Sequence, residues 1–297
     1  MIGRLLFRHP LPALLLIWLC IALLEVGGAW DLLNRFMLDF SLRRTARVED
    51  APADAAIVLI DEQTIQGVAQ KYGFRWPWRR DAFAWLAAGL HQAGARQIVF
   101  DLAFVEPSED AYYDDMLGSV TAACPGLLLA KLPAQGEIPE RRPVIWPAEF
   151  LRVNPELGGR IGHVQPSIDR DGVLRRYAFP DSLAARALPA GVADPSSGKV
   201  LRWYGGAREL GARGSVLSAL EFIQAGKLVL KDVPDAVLLE PKQLAAKWGE
   251  LPQEDFKGAL RGKTVFVGAN AAATFDRVAT PVGRLEPGVL AHYTAWA

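Results

Sequence analysis

The chain predicts a mixed α/β fold, a mostly parallel sheet flanked by helices with an antiparallel hairpin insertion, preceded by one transmembrane helix. Short β-branched apolar runs that alternate with helical patterns predict the parallel sheet. An Asp-Gly step between two extended segments predicts the hairpin. A strongly apolar stretch near the N-terminus predicts the membrane helix.

Pro10–Leu24 (PLPALLLIWLCIALL), continued by Val26–Trp30, provides about 20 mostly apolar residues, the hydrocarbon thickness of a bilayer. A cleaved signal peptide is the rival reading, since a basic start and an apolar run describe one too. No small-x-small cleavage site follows, because Glu25, Trp30 and Asp31 crowd the exit, which favours a retained anchor. Arg4 and Arg8 place the tail over residues 1–9 in the cytoplasm, although Arg35, Arg43 and Arg44 blunt that bias. The span is then 10–30, and everything after it faces outward. Residues 31–54 form a juxtamembrane helix and a linker. Leu32, Leu33, Phe36, Met37 and Phe40 share one helical face, and Val48–Asp54 carries Pro52 among acids. That helix either packs on the domain or carries a signal from the anchor.

The globular body spans 55–297. Ala55–Ile60 (AAIVLI) predicts a buried parallel strand ending at Asp61-Glu62. Asp81 caps a helix to about residue 93, with Phe83, Leu86 and Leu90 on one face and Gly94 at its stop. Gln97–Phe100 is a second buried strand ending at Asp101. Asp110–Ala123 gives another helix, and Gly126–Leu132 a third strand. This alternation implies right-handed crossovers. Ile161–Pro166 and Val173–Phe179, joined by Asp169-Arg170-Asp171-Gly172, predict the hairpin. Leu201–Gly205 reads as a further strand, and Ser215 as the cap of a helix burying Val216, Ala219, Leu220 and Ile223. Thr264–Val267 is the last buried strand, running into Gly268-Ala269-Asn270.

The 33 basic and 33 acidic side chains balance, so the chain has no general electrostatic footprint for nucleic acid. Cys20 and Cys124 are the only cysteines, which excludes a disulfide framework and cysteine-rich zinc modules. The four histidines, His9, His91, His163 and His292, lack metal-ligand spacing. No G-x-S-x-G elbow, G-x-G-x-x-G turn or Walker loop follows a strand. Cys124, before Pro125-Gly126 and with no base nearby, reads as a buried structural thiol.

Ligands of open parallel sheets bind beyond the carboxyl ends of the strands. Asp61, Asp101 and Asp276 lie at or after such ends and are candidates to meet on one rim. Together they would repel unless they gained a proton, a basic partner such as Arg79, or a hard cation, Mg²⁺ or Ca²⁺. Alternatively each caps its own following turn. Arg75-Trp76-Pro77-Trp78-Arg79-Arg80 combines indoles with guanidiniums; it either receives an anionic or aromatic ligand or plugs the end of the core.

Taken in order, IVLIDEQTI, WPWRR, QIVFDLAFVEP, DRDGVLRRYAF, LRWYGG, SVLSALEFIQAG, GKTVFVGAN, FDRVATPVG and EPGVLAHYTA form a recognisable series. The chain over residues 31–297 resembles the CHASE2 family of bacterial extracytoplasmic sensor domains. The resemblance implies signal reception rather than catalysis, a location in the cell inner membrane with the domain periplasmic, and a cytoplasmic output such as a cyclase or kinase. It implies an extracytoplasmic small molecule or protein as ligand, lipid around the anchor, and a homodimer. Its family-like positions include Trp76, Pro77, Asp169, Asp171, Gly172, Arg175, Gly268, Pro281, Pro287 and Gly288. Candidate ligand-binding residues are Asp61, Glu62, Trp78, Arg79, Asp101, Asp276, Thr280 and His292, with Asp61, Asp101 and Asp276 as candidate metal ligands. The alternative function is a membrane-anchored, metal-dependent hydrolase or phosphotransferase using those three aspartates; a third is a domain that mainly dimerises its output.

Overall fold

A computed structural model of the chain describes residues 10–26, 28–134, 139–145, 155–164, 167–177, 180–189, 199–251, 260–274 and 276–297. The chain divides into two units, Met1–Thr45 and Ala46–Ala297. In the first, helix α1 (Pro10–Val26) is followed by α2 (Ala29–Thr45), with Gly28 between them at a φ of +69°. Helix α1 lies within the expected span over 10–30. Its 17 residues rise about 25 Å, against a hydrocarbon core of about 30 Å. Among the described residues no helix is long and apolar enough to cross a membrane. The tail over 1–9 lies outside the described residues. No residue of α2 is buried, and Leu32, Leu33, Phe36, Met37 and Phe40 stand exposed.

The second unit opens with a 3₁₀ turn at Val48–Asp50, where a linker was expected; Arg202 holds Asp50 at 2.7 Å. Then come β1 (Ala55–Ile60), α3 (Glu62–Tyr72), α4 (Arg80–Gln92), β2 (Gln97–Ala103), α5 (Ala111–Ala123) and β3 (Leu127–Lys131). β4 (Ile161–His163), β5 (Ser167–Ile168), β6 (Leu174–Tyr177), α6 (Leu183–Ala187), β7 (Lys199–Val200), α7 (Ala207–Ala212), β8 (Val216–Ser218) and α8 (Leu220–Leu230) follow. α9 (Asp235–Leu238), α10 (Pro241–Lys247), β9 (Thr264–Ala269), β10 (Arg277–Val278), β11 (Glu286–Pro287) and α11 (Val289–Trp296) complete the unit.

Six strands form one sheet in the order β4-β3-β2-β9-β1-β8, and every pairing in it is parallel. A parallel sheet needs both faces covered, and the period-two alternation of the strands divides the core accordingly. Ala56, Val58, Ile60, Ile98, Phe100, Val265 and Val267 share one cluster with residues of α4, α5 and α8. The opposite face receives α11, where the Phe266 ring meets Tyr293 at 6.0 Å and Trp296 at 5.9 Å between centroids. A Cβ on Gly268 would stand only 2.4 Å from Val289 Cβ, so glycine lets α11 close down on β9. Trp296 Nε1 donates to the Ala187 carbonyl at 3.1 Å and ties α11 to α6.

The antiparallel insertion is the small sheet β5-β6-β7, separate from the main one. Its turn falls where Asp-Gly predicts it, with Gly172 at φ +79° and its N–H donating to the Asp169 carbonyl at 2.8 Å. Ile161–His163, expected as the first arm, instead adds an edge to the parallel sheet, and Ser167–Ile168 takes its place. The expected arm ends 165–166 and 178–179 lie outside the described residues. Residues 216–218, expected as the start of a helix, pair with β1 as edge strand β8; the helix begins at Leu220, after the Ala219 N–H has bonded the Leu59 carbonyl at 2.9 Å. The open edge of β1, which pairs Ile57, Val58 and Leu59 with Val216, Leu217 and Ser218, outweighs the helical spacing of Val216 and Ala219. Leu201–Gly205 is not a strand; Leu201, Trp203 and Tyr204 are buried, and pairing is confined to Lys199–Val200 and the Leu201 N–H.

Helices α4 and α8 cross at closest approach through two glycines. A Cβ on Gly226 would stand 1.7 Å from the Trp85 carbonyl oxygen, and one on Gly89 2.0 Å from that of Phe222. Backbone on both sides cannot yield as a side chain does, so Gly226→Ala is expected to lower stability by about 1–3 kcal/mol or more. The urea midpoint of the variant checks it; an unchanged midpoint contradicts the close crossing.

Candidate functional site

Each of the three aspartates expected at the rim has a different fate. Asp61 follows β1 and becomes the N-cap of α3, a helix the sequence reading above omits although Asp-x-x-Thr announces it. Its Oδ1 accepts the Thr64 N–H at 2.8 Å and the Thr64 hydroxyl at 2.6 Å, and Ser218 Oγ approaches at 3.3 Å. The carboxylate is spent on local bonds. Glu62 begins the same helix and accepts from Gln66 Nε2 at 3.0 Å.

Asp101 lies within β2. There the register against β3 shifts between Phe100 and Ala103, a bulge that re-aims side chains. The alternation places it with Val99 on the face covered by α11. His292, on the second turn of α11, points its Nε2 at Asp101 Oδ1, 3.3 Å away, with the two side chains only 2% and 9% exposed. The Tyr177 hydroxyl from β6 pairs with His292 Nδ1 on the far side of the ring.

Asp276 lies just before β10. Burial first, then the Asp101 charge, pushes its carboxyl up to about 7, with His292 acting in the opposite direction. Its carboxylate lies against Gly288, the residue that leads into α11: a Cβ there would stand 2.3 Å from Asp276 Oδ1. His292 thus joins Asp101 and Tyr177 from two other parts of the fold, and the charges of Asp101 and His292 act on the Asp276 carboxyl.

The expected three-aspartate metal site is corrected by this geometry. Asp61 is locked in its cap, and among the described residues no group of three or more His, Cys, Asp or Glu side chains is placed to hold a metal ion. Arg79, expected as a partner for the rim acids, pairs instead with Asp81 at 2.7 Å and lies between the rings of Phe74 and Tyr113, at 4.1 and 4.4 Å. Two residues of sequence separation suffice for that ion pair. Trp78 is buried and packs edge-on to Trp76 and tilted against Phe83, at the end of the helical side of the core. Thr280 closes the turn before β11, its hydroxyl bonded to the Gly283 carbonyl and N–H at 3.1 and 3.0 Å. Cys124 is buried, and its thiol is pushed up to about 12 by that burial.

Arg175 is the largest buried charge of the insertion. Its guanidinium bonds Asp169 at 2.8 Å and Asp171 at 2.8 and 2.9 Å, so D-x-D-G-x-x-R is a hairpin clasp. The clasp holds β6, and β6 carries Tyr177 to His292. Tyr177 itself is missed by the sequence reading; nothing local marks a tyrosine whose partner lies 115 residues away.

A family model for the CHASE2 domain matches residues 13–297. The chain belongs to the CHASE2 family. No curated protein and no solved structure matches it. CHASE2 domains are extracellular sensory domains rather than catalytic ones. In this CHASE2 chain the buried His292–Asp101 pair lies where the last helix meets the sheet, and Asp276, its carboxyl raised, lies against the residue that leads into that helix.

The sign of the Asp276 perturbation fixes a pH dependence. Its folded value is raised above the ordinary 3.8, so its stabilising contribution is complete below the ordinary value and is lost as pH rises through about 7. The chemical-denaturation midpoint is expected to fall between about pH 4 and about pH 7, and to fall less in Asp276→Asn. Equal slopes in the two proteins would contradict the assignment.

Proposed function

We propose that this chain is the sensory input module of a bacterial transmembrane receptor, with its globular unit outside the cytoplasmic membrane and a cytoplasmic output. The reception site in this reading is the Asp101–His292–Asp276 cluster. Membership of a sensory family supports the role. The observation that carries the site is the buried His292–Asp101 pair, which makes the seating of α11 depend on the charge state of side chains from other elements. A sensor needs a ligand that prefers one of two states, and a buried charged junction between a helix and a sheet provides such a preference.

The first unit suits an attachment to lipid. Leu14, Leu15, Ile17, Trp18 and Leu19 of α1 are exposed, and in the proposed receptor acyl chains or other membrane helices cover them. The exposed apolar face of α2 is then the self-contact of a homodimer.

A periplasm-dependent phosphatase fused after residue 297 is expected to be active in cells, and Asp101→Asn to change the receptor's output at unchanged membrane level. An inactive fusion overturns the location. An output indifferent to Asp101→Asn, with the variant present and folded, overturns the site.

A further inference from the structure

We infer that the rings of Tyr72 and Trp85 form a second ligand site, built for the quaternary ammonium of a small zwitterion of the betaine class, which Lys227 fills when no ligand is bound. The site lies on the α4 and α8 side of the sheet, opposite α11, and does not depend on the His292–Asp101 pair.

The scaffold fixes the walls. Tyr72 is the last residue of α3, and Trp85 belongs to α4. Their rings meet edge to face, 5.5 Å between centroids and inclined at 63°, and so stand as adjoining sides of a corner. Phe74 stacks on Trp85 at 5.7 Å and steadies the indole. The Lys227 ammonium comes from α8 and lies 4.0 Å from the Tyr72 centroid and 4.6 Å from that of Trp85. Its neighbour Gly226 makes the close helix crossing at the Trp85 carbonyl, which sets where Lys227 stands over the rings.

Lys227 marks what the corner holds, a positive charge against the negative faces of two π systems. Its ammonium makes no hydrogen bond or ion pair with any described residue, so the rings alone hold it. A primary ammonium is strongly hydrated and carries three N–H donors that carbon walls cannot satisfy. A trimethylammonium leaves no donor unpaired and buries its methyl groups on the same faces. Hard metal cations fit poorly, because they demand a shell of oxygen ligands. Tyr72 and Lys227 are half-buried, so the flexible lysine stem can swing into water and leave the helices in place. A ligand with only positive charge would then meet two ammonium groups, Lys227 and Lys71. Lys71 Nζ stands 5.8 Å from the Tyr72 centroid, bonded to Gln224 Oε1 at 3.0 Å. A carboxylate or phosphate next to the quaternary nitrogen pairs with these ammonium groups, which is why the ligand is a zwitterion.

The test titrates the full chain, in phosphatidylglycerol nanodiscs, with glycine betaine, choline and acetate by isothermal calorimetry. Glycine betaine is expected to bind, choline more weakly, and acetate not at all. Tyr72→Ala is expected to weaken glycine betaine by about tenfold. Lys71→Ala is expected to weaken glycine betaine while choline binds no less tightly. Lys227→Ala, which removes the competing cation, is expected to bind choline several-fold more tightly. Discs of phosphatidylcholine separate the two sources of this chemistry. A lipid headgroup that reaches the corner suppresses glycine betaine binding there, whereas equal binding in both discs makes the dissolved zwitterion the ligand. No heat from glycine betaine with the wild-type chain overturns the site, as do equal affinities in wild type and Tyr72→Ala; the ring–cation contact is then structural only. Should Tyr72→Ala not fold, Lys227→Ala decides: choline bound no more tightly than by the wild type overturns it.

Discussion

His292, buried between the Asp101 carboxylate and the Tyr177 hydroxyl, ties the last helix to the sheet, and much of the second unit is arranged to deliver those groups. Parallel strands bring Asp101 to the rim on the α11 face, and the bulge after Phe100 turns it. The Arg175 clasp fixes β6 so that Tyr177 meets the other nitrogen of His292. Gly268 and Gly288 have no side chain where α11 and Asp276 need the space. Removing one partner of a buried ionic group leaves the other desolvated and unpaired, so the arrangement holds together or rearranges as a set.

The two faces of the sheet have different characters. The face under α4, α5 and α8 is apolar and closely packed, with the helix crossing narrowed by Gly89 and Gly226. The face under α11 combines the Phe266, Tyr293 and Trp296 rings with the ionisable cluster.

Much of this was legible in the residues. The apolar runs at 55–60, 97–100 and 264–267 are central strands, because an all-parallel sheet buries both faces and leaves no polar alternation. Asp101 could be assigned to its face from the period of QIVFD alone. Asp61 shows the opposite: an aspartate at a strand end followed three residues later by Thr64 is already a helix cap, and its Oδ1 is taken by those local bonds. Arg79 likewise finds Asp81 two residues on. The pairing of His292 with Asp101 and Tyr177 spans most of the domain, and no local pattern encodes it. The strand at 216–218 was hidden by helical spacing because its partner, the free edge of β1, exists only once the sheet has formed.

The central claim is that Asp276 holds a proton near neutrality in the folded protein. Infrared difference spectra of the full chain across pH, wild type against Asp276→Asn, read that proton directly through the carbonyl stretch of a carboxylic acid. The account predicts a band that is present on the acid side, disappears as pH passes about 7, and is missing from the variant. A wild-type spectrum identical to that of the variant at about pH 6 would mean that Asp276 is already ionised there, and would contradict it.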